Sequence, residues 1–438
     1  LVARATPDRM ASLGFASPWF ESGAATVRAR LTQSGEALAF DARADLTKAG
    51  FRVEEIRWSK PEGAAAEARV AGAVADGVIS LERLALDSPD LKFDGEARLG
   101  ADGDLRAVTA DSVVYDGVMD LSLNAVREEK RWRIAVTGPM LNLSEFDLLE
   151  GEGPADPPGG VRKPSFSVRA DLDIDEIRLD EEQYFRNVTG WIAQGAGGGV
   201  NVRLDAALGE GGPVRFRYKR NPKNGGELRV RARDAGQFLR DAGVFDDGSG
   251  GDLLVTGDIA PGEALRIDGR AVVRDIVIHD DAKLEQMLSG ADLAALQEEM
   301  REDGMVFSSI RAPFVLSDGR IRLSEAIAKG SAIGVSISGD YGLESETLNF
   351  EGVFTPAYAL NSALGNIPVL GAIFTGGDGQ GLFAFNFAVR GNAKDPKVSV
   401  NPFSVLAPGI FRTLLTGKSV EDEVEAAFRD DQAENSQR

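Results

Sequence analysis

Residues able to do chemistry are scarce in this chain. It has one histidine, His279, and no cysteine. A lone imidazole cannot build a His-dependent triad or a multi-histidine metal site within one chain. Without cysteine there is no thiolate zinc site, iron–sulfur cluster, disulfide framework or cysteine nucleophile. Carboxylate chemistry remains. Asp171, Asp173, Asp175 and Glu176 form a cation-like run, but strand alternation sets the three aspartates about 7 Å apart on one face. They also lack the glycine-bent loop of a calcium site, so a solvated face is expected. Asp246, Asp247 and Asp252 around Gly248–Gly251 leave a calcium-holding loop as the less favoured alternative. Gly195–Gly199 is followed by no lysine–serine pair and lies in no βαβ pattern, so it is not a phosphate loop. His279, beside Asp280, is expected at the surface, and no carboxylate pair suggests itself for glycan hydrolysis. No catalytic residue, metal or cofactor is assigned, and the chain is expected not to be an enzyme.

The elements around these residues are set by composition and pattern. Of 438 residues, 43% are apolar, too many for a disordered chain and too few for a polytopic membrane protein. The length suits about three domains or one extended repeat structure. A net charge of −20 repels phosphate backbones, which argues against nucleic acid, and repels anionic headgroups away from local basic patches. No stretch reaches the roughly 18 apolar residues of a membrane-spanning helix. No signal peptide is visible, and the chain begins at Leu1. The expectation is a piece of a longer polypeptide whose export signal or anchor lies upstream.

Period-two alternation dominates. Leu38, Phe40, Ala42, Ala44 and Leu46 alternate with polar or small residues, as do Leu91, Phe93, Gly95, Ala97 and Leu99. Phe166, Val168, Ala170, Leu172 and Ile174 repeat the pattern, followed by Val200, Val202, Leu204 and Ala206. Such runs are strands with one apolar and one polar face, the pattern of antiparallel sheet wet on one side. Turn signals such as Asp102-Gly103, Asn224-Gly225-Gly226 and Asp318-Gly319 punctuate them. The expected organisation is a β-rich segment over 1–150, a Pro/Gly-rich linker over 151–164 and a second β-rich segment over 165–275. A region with helices follows over 276–417, then an acidic, largely disordered tail over 418–438. Asp281–Glu302 has amphipathic helical spacing broken at Ser289-Gly290. Ala359–Gly376 is apolar nearly all round, and Phe403–Thr416 carries an apolar stripe. Ser419 with Asp422 offers a cap for a last helix.

Residues 341–416 carry a resemblance. Pro356–Asn361, Gly365–Gly371, Asp395-Pro396, Asn401-Pro402 and Ala407-Pro408-Gly409 together resemble the end of the AsmA-like family, in its YhdP-type branch. Val272–Gly352 is more loosely similar, and 1–150 is similar in texture. The resemblance implies a mostly β protein whose long, curled antiparallel sheet forms an elongated apolar groove. That is a repeating β-groove of the bridge-like lipid transfer type, with a few amphipathic helices near the C-terminus. It implies a bacterial periplasmic location, an inner-membrane anchor upstream, and phospholipid transport that supports outer-membrane integrity.

The groove residues expected on this basis are Leu38, Phe40, Leu91, Phe93, Leu99, Phe166, Val168, Leu172, Val200, Val202, Leu204, Ile333, Val335, Ile337, Leu348 and Phe350. Ile367, Pro368, Val369, Leu370, Ile373, Phe374, Ile410, Phe411 and Leu414 are candidates for a lid or a membrane contact, with a buried cap at one sheet end as the alternative. Alternation by itself favours two sheets packed face to face; the resemblance favours an open groove. Expected partners are phospholipid, membranes through the anchor and the C-terminal apolar segments, and an outer-membrane or periplasmic protein. The competing functions are a scaffold or chaperone-like factor that binds protein at strand edges and a carboxylate hydrolase of envelope glycans.

Overall fold

Alternating runs become strands wherever turn residues bound them. Asp318 and Gly319, with φ of 51° and 64°, meet the need of a two-residue type I′ hairpin for two left-handed positions. The computed structural model describes residues 1–12, 17–35, 37–146, 166–180, 183–221, 225–261, 265–279, 304–330, 333–356, 385–393, 395–401 and 418–436. These form two compact units, Leu1–Gly209 and Glu210–Arg438, a division inside the stretch 165–275 that the sequence pattern groups together. The expected linker 151–164, the helical spacing over 281–302 and all nine lid or membrane-contact candidates lie outside the described residues.

In chain order the first unit comprises β1 (Val2–Ala5), α1 (Pro7–Ser12), β2 (Phe20–Gly23), β3 (Ala25–Ser34), β4 (Ala37–Asp45), β5 (Ala49–Val53), β6 (Trp58–Lys60), β7 (Glu67–Ala75) and β8 (Val78–Asp87). It continues with β9 (Leu91–Leu99), β10 (Leu105–Tyr115), β11 (Met119–Glu128), β12 (Arg131–Asn142), β13 (Ser167–Arg178), β14 (Tyr184–Gln194) and β15 (Val200–Leu208). The ladder runs β1-β3-β4-β7-β8-β9-β10-β11-β12-β13-β14-β15. β2, β5 and β6 form a separate three-stranded sheet. One expectation is corrected: β12 and β13 are parallel, so the sheet is mixed. A hairpin cannot make a parallel step, because the chain must return to the end where the first strand began.

The second unit comprises β16 (Pro213–Asn221), β17 (Gly225–Ala232), α2 (Ala235–Asp241), β18 (Gly248–Ser249), β19 (Asp252–Ile259), β20 (Arg266–Ile278), β21 (Met305–Ser317), β22 (Arg320–Gly330), β23 (Ile333–Gly342), β24 (Thr347–Pro356), β25 (Phe385–Asn392), β26 (Asp395–Asn401) and α3 (Lys418–Ser436). All its described strand pairs are antiparallel. The order is β16-β17-β19-β20-β21-β22-β23-β24-β25-β26, with β18 on β20. Twenty-three strands thus belong to long ladders, and among the described residues neither unit's ladder closes on itself.

The acidic tail, expected to be largely disordered beyond a short last helix, is helical over Lys418–Ser436. Val420, Val424 and Phe428 recur at four-residue spacing, make one stripe, and are at most 1% exposed. They pack on Leu254, Val272 and Ile327, which share one face of β19, β20 and β22 with Arg231 and Arg311. The helix's acids answer that face's cations: Glu421 with Lys329 at 2.8 Å, Glu425 with Arg274 at 3.0 Å, and Glu423 with Arg311 at 3.4 Å. Asp431 is buried and pairs with Arg229 and Arg231. Arg274 also stacks on Phe428, its guanidinium carbon 4.7 Å from the ring centre.

Phe428→Ala should cost the second unit about 3 kcal/mol or more, because it empties a buried site and removes a cation–π partner. Glu421→Gln, at a half-exposed pair, should cost less than about 1 kcal/mol. Urea unfolding measures both, and hydrogen exchange should show α3 amides losing protection in the first variant only.

Candidate functional site: the apolar faces

Strand register decides which side chains stand together, because directly opposed residues share a face. In the first unit one such row is Ala29, Ala42, Val70, Leu84, Gly95, Ala110, Leu123, Val136, Leu172, Gly190, Leu204. It crosses from β3 to β15 without one polar residue. The adjacent row runs Leu31, Phe40, Gly72, Leu81, Ala97, Val108, Ala125, Ile134, Ala170, Ile192, Val202 and is likewise apolar. The candidates Leu38, Phe40, Leu91, Phe93, Leu99, Val168, Leu172, Val200, Val202 and Leu204 all belong to this face, and Phe166 stands one residue before β13. Phe40, Phe93, Val168, Leu172, Val200, Val202 and Leu204 are half-buried. Among the described residues no second large sheet covers them, contrary to what alternation by itself favours.

The two long margins of this face differ. Along one, Leu46, Leu91, Met119, Ile177 and Leu208 are all buried. Along the other, Leu31 is 58% exposed and Leu38 40%; Leu105 and Ile192 are also exposed. The small sheet and α1 make part of the seal. Phe20 and Phe51 stack at 4.9 Å, and their cluster takes in Met10, Leu46, Ala44, Ala68 and Leu86. Lys60 is buried beside them and donates to the carbonyls of Ala49 at 2.8 Å and Pro61 at 3.2 Å; burial pulls its pKa below the ordinary lysine range. Arg57 donates across to the Glu145 carbonyl at 3.0 Å, tying this sheet to the 3-10 turn Leu143–Glu145 that follows β12. Further along, Ile174, Ile177 and Val188 make a buried cluster with Leu141, Leu143 and Phe185. Tyr115, opposite Leu91 and Met119, has its hydroxyl pKa pushed up by burial, with Asp90 and Glu145 adding to the effect.

The second unit also carries an apolar row, but Val214, Ala232, Leu253, Val273 and Phe354 in it are buried. Val214, Ala232, Leu253, Val273, Ile310, Ala328, Val335, Phe354 and Phe385 stand in one row. Ile333, Val335, Ile337, Leu348 and Phe350 share its face. Ile333 is fully buried and the other four half-buried. Glycines in this face seat aromatic rings from neighbouring strands: a Cβ on Gly269 would strike the ring of Phe314, and one on Gly352 that of Phe387. Phe354 and Phe385 stack at 5.0 Å.

Charge is gathered on the opposite faces. Arg69 pairs with Glu67 at 2.8 Å, holding that carboxylate below its ordinary pKa. Arg169 pairs with Asp171 at 2.8 Å, so part of the aspartate run meets a neighbouring arginine on an exposed face. No group of three His, Cys, Asp or Glu converges as metal ligands among the described residues. His279 is exposed, with Nε2 2.9 Å from the Ser249 hydroxyl. What these faces offer a ligand is apolar contact spread over many strands. Sequence reasoning missed the sealing sheet, whose strands are too short for a periodic signal. It also missed a charged site at the open margin, where Arg127-Glu128-Glu129-Lys130-Arg131-Trp132-Arg133 was the visible sign.

Comparison of the chain with family models, curated proteins and solved structures finds no match.

Margin asymmetry has a measurable consequence. Ile174→Ala, at a site 1% exposed, should destabilise the first unit by about 3 kcal/mol. Ile192→Ala, on the same face but 38% exposed, should cost less than about 1 kcal/mol. Urea denaturation curves compare the two, and equal costs would mean that the outer rows are as covered as the inner ones.

Proposed function

We propose that the apolar faces act as a groove for acyl chains and that the protein moves lipid without catalysing a reaction. The observation that carries this reading is the half-exposed apolar row continuous from β3 to β15. Transfer of each methylene from water is worth about 0.8 kcal/mol, so an acyl chain of about 15 carbons gains on the order of 10 kcal/mol. Movement along the rows replaces one apolar surface with another and is nearly neutral in energy. With the resemblance of 341–416 to the AsmA-like family, the reading extends to phospholipid transport between the inner and outer bacterial membranes. It places the chain in the periplasm, anchored at the inner membrane by an upstream segment. A scaffold role at strand edges is the second reading, favoured by β26, which pairs only with β25 among the described residues.

Native mass spectrometry of the purified chain should find bound phospholipid. Phe93→Asp or Val202→Asp should remove it while far-UV circular dichroism stays that of a folded β protein, because both side chains are half-exposed. Loss of folding instead would mean that these residues form a closed core. A lipid-free chain that captures a partner at the β26 edge would favour the scaffold.

A further inference from the structure

The open margin of the first unit's apolar face carries a charged constellation that holding hydrocarbon does not require. Arg127 on β11 lies directly opposite Trp132 on β12, and Trp132 lies opposite Val168 on β13. Ala125, Ile134 and Ala170, two residues inward, belong to an apolar row, so Arg127 and Trp132 stand on the apolar side at its rim. Arg106 occupies the bulge of β10 between Leu105, opposite Leu99, and Ala107, opposite Arg98. Both arginines are held by the turn between β9 and β10. Arg127 Nη1 donates to Asp104 Oδ2 at 3.0 Å, and its Nε to the Glu129 carbonyl at 3.3 Å. Arg106 Nη2 is paired with Asp102. Asp102 also accepts the Asp104 amide at 3.0 Å, the main reason its pKa lies below the ordinary carboxylate range. The turn is thus fixed by its own hydrogen bonds, and Arg127 Nη2 and Arg106 Nε have no protein partner among the described residues.

From this geometry we infer a headgroup subsite for a zwitterionic phosphate–ammonium lipid at Arg106, Arg127, Asp102, Asp104 and Trp132. The inference rests on the lipid-holding reading above and goes on to name the class of lipid. The free N–H groups of the two guanidiniums take the phosphate oxygens. The ammonium lies against Asp104 and Asp102. Trp132 sits where an amphipathic ring is most stable, between hydrocarbon and water. Leu99 and Leu105, beside the arginines, receive the first carbons of the acyl chains. Two cations and two anions give the site no net charge, so a purely anionic headgroup meets two aspartates and the field of a chain of net charge −20.

The test presents the delipidated full chain with vesicles of phosphatidylethanolamine or phosphatidylglycerol having identical acyl chains, and bound lipid is counted by native mass spectrometry. Uptake from phosphatidylethanolamine is expected to exceed that from phosphatidylglycerol by about tenfold, the worth of one charge-assisted hydrogen bond. The double variant Asp102→Asn with Asp104→Asn, which removes the charges facing the ammonium, should bring the ratio to one or below while oleic acid still binds as it does to the unaltered chain. Trp132→Leu, which keeps the rim apolar, should lower the ratio less. An unchanged ratio in the double variant, or no headgroup preference in the unaltered chain, overturns the subsite alone. Failure to take up either lipid or oleic acid overturns the holding reading and the subsite with it.

Discussion

Everything in this structure depends on strand parity: each apolar side chain must emerge on the same side as its neighbour's in the next strand. A slip of one residue in any ladder would carry that strand's apolar set into water. Bulges guard parity where the sequence departs from strict alternation. Leu81 and Leu84 are three residues apart, yet they oppose Ala97 and Gly95 on one face, because the register shifts between them. Ala110 and Val113 behave alike against Leu123 and Leu121. Each extra residue also bends its strand and strengthens the local twist, so the device that keeps the face apolar also shapes it.

Parity alone would produce a ribbon equally wet along both margins. The first unit departs from this because β2, β5, β6 and α1 spend their apolar residues on one margin. The opposite margin keeps Leu31 and Leu38 in contact with solvent. In the second unit the helix α3 lies on the face that carries Arg231, Arg274 and Arg311, opposite the row through Val273 and Val335.

The strands and their apolar face were legible because alternation is local: Phe93 and Val202 could be assigned a side from their immediate neighbours. The parallel step between β12 and β13 was not, since pairing direction depends on where the intervening chain returns. Nor was the docking of α3. Its acids look like a solvated tail until Arg231, Arg274 and Arg311, more than a hundred residues earlier, are placed beside Asp431, Glu425 and Glu423. Arg127 was hidden for a related reason. A charged residue at the end of an alternating strand reads as solvent-facing, and only its register against Trp132 shows which side it takes.

An unclosed ladder has a consequence for how such a protein can change over generations. A barrel fixes its strand number through the geometry of closure. Here the ladder pairing of each strand involves only its immediate neighbours, so a hairpin duplicated away from α3 and the small sheet leaves the other pairings in place and adds roughly 10 Å of lining. Length is therefore a freely adjustable dimension, one that selection can match to the width of whatever gap the molecule must cross.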